Sequence, residues 1–118
     1  MPIRVFKTAW FSKAAMSARI ADAELCAAIR QVELGQADDL GGGVYKKRLD
    51  KNRHRSIILA KAGEFWVFEY LFAKKDRANI SQSELIDYRV LAKGYSRLAG
   101  GQLEKLLKDG DIKEICND

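Results

Sequence analysis

The N-terminal third of the chain carries one strand pattern followed by two helical patterns. Apolar and polar residues alternate over residues 3–8, which predicts a short strand, and residues 11–20 are Ala-rich with helical character. From Asp22, a predicted N-cap, apolar residues recur at helical spacing as far as Gly35. Because glycine tolerates the positive φ that ends many helices, the second helix is expected to end there.

Three consecutive glycines, residues 41–43, interrupt this pattern. Glycine favours neither helix nor strand, so the run predicts a hinge that leads into a sheet. A phosphate-cradling loop is the alternative interpretation, but no Lys-Ser or Lys-Thr pair follows, as a P-loop requires.

Three strand patterns follow, over residues 44–50, 53–62 and 64–74. Only Lys51-Asn52 and Gly63 separate them, which leaves no room for a crossover helix, so adjacent strands are expected to pair antiparallel. The last of the three is apolar on both faces over most of its length, as a central strand covered on each side would be.

Ser81 and Glu84 have the spacing of a capping box and predict a helix that runs to about residue 98. Its apolar stripe consists of Leu85, Tyr88, Leu91, Tyr95 and Leu98. The glycine pair at residues 100–101 is expected to end this helix, and a short helix over residues 103–108 follows.

Together these patterns predict an α+β fold, in which an N-terminal strand and two helices pack on an antiparallel sheet with a C-terminal helix. No internal repeat, low-complexity tract or linker divides the sequence. Residues 1–118 are therefore expected to form a single domain.

Positive charge is concentrated in the three central strands. Residues 44–77 contain ten Lys and Arg against four Asp and Glu, whereas the rest of the chain contains eleven basic and twelve acidic residues. A concentrated basic face is typical of proteins that bind nucleic acid. The alternative is that these residues are solvated strand faces that protect the sheet from edge-to-edge pairing.

Other composition features exclude several classes of protein. No apolar run approaches the ~18 residues of a membrane span and no signal sequence is recognisable, so the protein is expected to be soluble and cytoplasmic. Cys26 and Cys116 lie in no CxxC or Cys/His spacing, so two reduced thiols are expected rather than a zinc site. His54 is the only histidine, and no DxD or HExxH arrangement is present, so neither a metal nor another cofactor is expected.

Two local motifs are specific enough to compare with known families: LGGGVYKKRL at residues 40–49 and FAKKDRANIS at residues 72–81. Both resemble motifs of the RelE/HigB branch of toxins from bacterial type II toxin–antitoxin systems, and the similarity extends to the tail at residues 103–115. The resemblance implies a RelE-like fold and an mRNA endoribonuclease (mRNA interferase). In many members this enzyme cuts message in the ribosomal A site without a metal ion, which inhibits translation and arrests growth.

The resemblance also implies a set of partners. They are a cognate antitoxin of the helix-turn-helix type, mRNA and the ribosome, and operator DNA reached only through the antitoxin. No membrane partner is implied.

Candidate catalytic residues lie on the first two central strands. Arg55 matches the arginine that commonly opens this strand in the family, so it is expected to stabilise the phosphate, although the compact turn before it leaves Arg53 as the alternative. Lys46 and Arg48 share one strand face, with Lys47 opposite. One of these three is expected to act as a base or phosphate clamp, unless they form a solvated strand edge.

The third central strand and the lone histidine supply further candidates. Tyr70 and Phe72 are assigned to one strand face with Lys74, where they either stack on an unpaired base or pack in the core. Trp66 and Phe68 are assigned to that same face and to the core. His54 is a candidate acid or base, since histidine is the side chain best suited to proton transfer near neutral pH.

The expected catalytic set is therefore Arg55, Lys46, His54 and Tyr70. The expected RNA-binding set is Lys47, Arg48, Lys51, Arg53, Phe72, Lys74, Lys75 and Arg77. Three functions remain open: a ribosome-dependent endoribonuclease, a RelE/ParE-fold toxin with another target such as gyrase, and a non-catalytic nucleic-acid-binding module.

Overall fold

A computed structural model describes residues 3–117 of the chain. Its elements, in chain order, are β1 (Arg4–Thr8), α1 (Ala9–Ser17), α2 (Asp22–Glu33), β2 (Asp38–Gly41), β3 (Val44–Leu49), β4 (His54–Lys61), β5 (Phe65–Ala73), α3 (Gln82–Ser96), α4 (Gly100–Lys108) and β6 (Ile112–Ile115). None of these helices is both long and apolar enough to cross a membrane.

The strands of residues 3–117 form one mixed sheet in the order β2-β3-β4-β5-β1-β6. β1 runs parallel to β5 and antiparallel to β6, and the other neighbours are antiparallel. The predicted α+β class and the antiparallel meander of β3, β4 and β5 are confirmed. The sequence patterns did not predict β2 and β6. Each is an edge strand of only four residues, with too few apolar residues to show the alternation typical of a strand.

The glycine run makes a hairpin turn rather than a hinge. Gly41 pairs with Val44 across the β2–β3 hairpin, and Gly42 and Gly43 between them have φ values of 65° and 84°. Two central residues with positive φ match the twist of the flanking strands, which is why glycine is favoured there. A Cβ atom at Gly42 would also come within 2.8 Å of the Arg89 side chain of α3.

A β-bulge reverses the faces of β5 halfway along the strand. Ile57 pairs with Tyr70 and Ile58 pairs with Phe68, so Glu69 is the extra residue. Tyr70 therefore lies on the side opposite Phe68. The prediction that Trp66 and Phe68 share a face with Tyr70 and Phe72 is wrong for this reason, since strict alternation assumes an unbroken strand.

The sheet is covered on both faces. Helices α1 and α2 pack on one face through a cluster that includes Phe11, Leu25, Ile58 and Phe68. Helices α3 and α4 pack on the other through Phe6, Val44, Ile57, Leu59, Val67 and Leu103. We call these the α1 side and the α3 side of the sheet.

Helix boundaries agree with the sequence patterns only in part. The capping box of Ser81 and Glu84 is confirmed, and the predicted stripe of α3 packs on the core except at Leu91, which is exposed while the neighbouring Ala92 is buried. Asp22 lies in the first turn of α2 rather than at its N-cap, and its carboxylate pairs with Lys7 at 2.7 Å. The glycines at residues 100–101 begin α4 instead of ending α3.

A disulfide joins Cys26 of α2 to Cys116, which follows β6. The expectation of two separate thiols is wrong for this structure. The two cysteines are 90 residues apart in sequence, and only the pairing of β6 with β1 brings the C-terminal segment to α2.

Reduction of this disulfide is expected to lower the free energy of unfolding by about 2–4 kcal/mol, because a long loop is no longer closed in the unfolded chain. Denaturant titration with and without a thiol reductant measures the change. A Cys26→Ser/Cys116→Ser double variant is the control, since its midpoint should not respond to the reductant. An unchanged midpoint in the wild-type protein would show that the bond does not form in solution.

Candidate nucleic-acid interface

Cross-strand rows on the α3 side bring distant basic and aromatic residues together. In one row Arg48 of β3 lies opposite Arg55 of β4, which lies opposite Phe72 of β5. In the next row Lys46 and Tyr70 flank Ile57. We call Lys46, Arg48, Arg55, Tyr70 and Phe72 the basic–aromatic face.

Helix α3 determines where this face begins. The rows that contain Val44, Leu59 and Val67 lie in the apolar cluster that α3 covers. Beyond them, on the side toward the β3–β4 turn, the residues of the same sheet face change from aliphatic to basic and aromatic. The site therefore lies where the sheet extends past the N-terminus of α3.

Arg48 and Arg55 are a like-charged pair placed directly opposite each other. Such a pair destabilises a sheet unless a counter-charge lies nearby. Within residues 3–117 neither guanidinium forms an ion pair with a carboxylate. The arrangement therefore favours the binding of an anion.

The guanidinium of Arg55 also supports the β3–β4 turn. Its Nη1 donates to the carbonyl oxygens of Asn52, at 2.9 Å, and of His54, at 3.2 Å, and the residue is only 8% exposed. In the described part of the chain, Trp66 Nε1 is the one fully buried side-chain nitrogen or oxygen without a hydrogen-bond partner. The other N–H groups of Arg55 are therefore not fully buried.

Arg53 lies in the turn before β4, outside the basic–aromatic face. Asp50, Lys51 and Asn52 all have positive φ, which folds the turn tightly. The Arg53 guanidinium pairs with Asp50 at 2.8 Å and holds the pKa of that carboxyl below its usual range. The backbone N–H of Asp50 in turn donates to the Glu24 carboxylate of α2, so the turn is attached to the α1 side.

His54 lies on the α1 side, as the alternation of β4 predicts, and is therefore separated from Arg55 by the sheet. Its Nδ1 is 3.0 Å from an Asp50 carboxylate oxygen. Lys47 also points away from the basic–aromatic face, since it lies between Lys46 and Arg48 on β3. The structure thus brings together three of the four predicted catalytic residues and places the histidine elsewhere.

Lys46 is partly held by neighbours. Its Nζ lies 3.7 Å from Asp38 of β2 and donates to the Asn79 side-chain oxygen at 3.4 Å. These contacts position the ammonium group at the margin of the basic–aromatic face.

Arg77, a predicted RNA contact, forms an ion pair with Glu84. It makes a two-pronged pair with Glu84 at 2.6 and 3.1 Å, donates to the Tyr70 hydroxyl at 3.4 Å, and lies over the Phe72 ring at 5.6 Å. The pair lowers the pKa of Glu84 to about 2 and raises the pKa of Arg77. Arg77 therefore ties the first turn of α3 to the aromatic part of the face.

The remaining predicted RNA contacts lie at the β3–β4 turn and just after the C-terminal end of β5. Lys51, Lys74 and Lys75 are exposed and, in the described residues, form no ion pair. They line a groove of about 640 Å³ together with Arg53 and His54. This second basic surface adjoins the basic–aromatic face at Ala73.

Two aromatic residues of the site were not predicted. Trp10 of α1 stacks on Tyr70, with ring centroids 5.0 Å apart, and the ring centroid of Tyr88 of α3 lies 6.2 Å from that of Tyr70. Burial raises the pKa of the Tyr88 hydroxyl to about 12. No sequence pattern near Trp10 predicts its place in the site, because its contact with Tyr70 depends on how α1 is placed relative to the sheet.

Metal ligands are not grouped at this site. Among residues 3–117, no three His, Cys, Asp or Glu side chains are arranged to hold an ion.

Comparison with known families gives one match. The model of the family described as the RelE toxin of the RelE/RelB toxin–antitoxin system matches residues 3–115 of the chain. No curated protein and no solved structure is similar enough to the chain to count as a match. The family match confirms the resemblance carried by the two motifs at residues 40–49 and 72–81.

The pair of Arg77 and Glu84 is expected to make the stability of the α3 contact depend on pH. The pKa of Glu84 is about 2 in the folded state, against an ordinary value of 4.5. Its contribution to stability is therefore fully present above about pH 4.5 and is lost as the pH falls toward 2.

A Glu84→Gln variant isolates this effect, because glutamine can still serve the capping box but carries no charge. The wild-type protein should be more stable than the variant at neutral pH and equally stable near pH 2, as measured by thermal unfolding. A difference that persists unchanged at pH 2 would contradict the assignment.

Proposed function

Since the chain belongs to the family of RelE toxins of RelE/RelB toxin–antitoxin systems, we propose that it is an endoribonuclease that cuts mRNA on the ribosome and so inhibits translation. Members of this family are typically ribosome-dependent endoribonucleases. The observation that carries the proposal is the opposed pair of Arg48 and Arg55, with no carboxylate partner among the described residues, beside Lys46 and the aromatic rings.

The proposed reaction is attack of a ribose 2′-hydroxyl on the adjacent phosphorus, with breakage of the bond to the 5′-oxygen. Negative charge accumulates on the phosphorane oxygens in the transition state. Two arginines held by a rigid sheet are suited to stabilise that charge, and one such preorganised donor typically contributes ~100- to 1000-fold in rate. We assign this role to Arg55 and Arg48.

Proton transfer needs a base for the 2′-hydroxyl and an acid for the departing oxygen. Lys46 is the proposed base or phosphate clamp, and the Tyr70 hydroxyl is a second protic group in the same cross-strand row. His54 lies on the α1 side of the sheet. We therefore propose that it contacts RNA outside the cleavage site and takes no part in proton transfer beside Arg55. No metal ion or cofactor enters the proposal, because the cations of the face supply the positive charge.

We propose that RNA also contacts cations outside the basic–aromatic face. Lys51, Lys74 and Lys75, which form no ion pair in the described residues, line the groove beside the β3–β4 turn. Arg53 lies at that turn in its ion pair with Asp50, and Lys47 lies on the other side of β3. Contacts of this kind bind phosphate without reading the base, so affinity should fall steeply with salt. Phe72 lies beneath Arg77 and is proposed to support the base-binding surface.

The proposed partner is a RelB-type antitoxin with a helix-turn-helix domain, which alone would contact operator DNA. Helix α3, whose first turn is tied to Tyr70 through Arg77, exposes Ile86, Val90 and Leu91. An amphipathic segment of the antitoxin could pack there while its acidic residues neutralise the basic–aromatic face. We further propose that the protein acts in the cytoplasm, as one domain.

Arg48→Ala is expected to weaken binding of single-stranded RNA and to reduce the salt slope of binding by about one. The matched control is Lys113→Ala, which removes one positive charge from β6 at the far edge of the same sheet. Fluorescence anisotropy at several salt concentrations measures both variants. Equal effects of the two substitutions would argue against a localised RNA surface.

Arg55→Ala is expected to lower the cleavage rate on translating ribosomes ~100- to 1000-fold. Primer extension on message from expressing cells maps the cuts, and antitoxin binding reports folding. Arg55→Lys retains a charge and a donor for the turn carbonyls, so it separates support of the turn from guanidinium chemistry.

Arg53→Ala, at the neighbouring turn arginine, should reduce the rate far less. Full cleavage by a folded Arg55→Ala variant would refute the assigned role. Growth arrest by the wild-type protein without cut message would instead favour a RelE/ParE-fold toxin with another target, such as gyrase.

A further inference from the structure

Trp10 is a large aromatic side chain that the fold leaves half uncovered. It is 52% exposed, although one side of its ring stacks on Tyr70 at an interplanar angle of 26°. Tyr70 continues the stack to Phe72, with ring centroids 5.8 Å apart and an angle of 29°. Trp10 is therefore the outer ring of a nearly parallel aromatic series that begins on the basic–aromatic face.

The end of β1 explains why this series crosses from one side of the sheet to the other. β1 pairs with β5 only as far as Lys7 and Phe68, and α1 begins at Ala9. Beyond Phe68, β5 has β4 as its only strand neighbour in the described residues. The free edge of β5 thus leaves an opening between α1 and the β4–β5 hairpin, and Trp10 lies at its border.

That opening is a groove of about 580 Å³. Trp10, Ala14 and Ala18 form its α1 wall, and Tyr70 and Phe72 form its floor. Lys75, Arg77 and His54 contribute its polar rim. Lys75 is exposed and, within residues 3–117, has no acidic partner. An open aromatic ring beside an unpaired cation is the combination that binds single-stranded nucleic acid, since bases stack and phosphates pair with Lys or Arg.

We propose that this groove is a base-stacking subsite for single-stranded RNA, in which an unpaired base stacks on Trp10 while its phosphate pairs with Lys75. The inference rests on the proposed function, because it places a nucleotide next to the one bound on the basic–aromatic face. The strand would cross the free edge of β5 between the two. Stacking on an indole is tolerant of base identity, so the subsite contributes affinity and register rather than sequence preference.

A role in packing alone explains Trp10 less well. A core aromatic residue is covered on most of its surface, as Phe11 in the next position is. Replacement of Trp10 should accordingly cost little stability, whereas replacement of Phe11 would leave a cavity.

Fluorescence can report the subsite directly, because the chain has two tryptophans. Trp66 lies in the α1-side cluster, and its Nε1 has no hydrogen-bond partner, so Trp66→Phe removes no hydrogen bond. In this background Trp10 is the sole tryptophan. Titration with a 2′-O-methyl oligouridine, which cannot be cleaved, should quench its emission.

Affinity for the same oligonucleotide tests the contribution of the ring. Trp10→Ala and Trp10→Leu should each weaken binding about 5- to 100-fold, and Trp10→Phe should retain most of it, since a base needs a π face for stacking. Met16→Ala is the matched control on the same helix, because Met16 is 79% exposed and does not line the groove. Its affinity should equal that of the parent.

Absence of quenching, or a Trp10→Leu variant that binds as tightly as the parent, would overturn the subsite. Quenching by an acidic antitoxin peptide but not by RNA would overturn it as well. The proposed function can be refuted independently of the subsite. If the wild-type protein cuts message and Trp10 variants bind RNA normally, only the subsite is refuted. If RNA stacks on Trp10 but message stays intact, only the endoribonuclease is refuted.

Discussion

Strand β5 is the element on which both halves of the core depend. It pairs with β4 along one edge and with β1 along the other, and its side chains enter the apolar clusters on both faces of the sheet. The single extra residue at Glu69 then exchanges the two faces. Without this bulge, Tyr70 and Phe72 would point toward α1 and α2, and Arg55 would have no aromatic neighbour in its row.

The end of the sheet near the β3–β4 turn has features that lower the stability of the fold but favour the binding of an anion. Arg48 opposes Arg55, several lysines lie nearby without a carboxylate partner in the described residues, and three successive turn residues have positive φ. These features oppose folding, and the two extensive clusters on either face of the sheet offset them. The ion pair of Arg77 and Glu84 limits the cost by holding α3 at the border of the charged region.

The disulfide lies away from this region, at the other border of the sheet. Cys116 follows β6, and Cys26 faces it from α2, so the bond closes the chain around the β1–β6 edge. In a reducing compartment, most cysteine pairs of this kind stay reduced. The α1-side cluster already packs Ile115 of β6 together with Leu25 and Ile29 of α2, and Cys26 lies against it, so the disulfide joins two elements that also pack on each other.

The sequence by itself determined the order of most elements, the capping box at Ser81 and the concentration of charge over residues 44–77, because these features are local. The motifs at residues 40–49 and 72–81 identified the family. Tertiary structure alone decided the parallel pairing of β1, the edge strands β2 and β6, the Glu69 bulge and the disulfide, since each depends on partners distant in sequence. It also decided the membership of the site. Strand alternation places Arg55 and His54 on opposite faces of β4, but only the packed sheet could set Arg48 against Arg55 and bring Trp10 of α1 onto Tyr70.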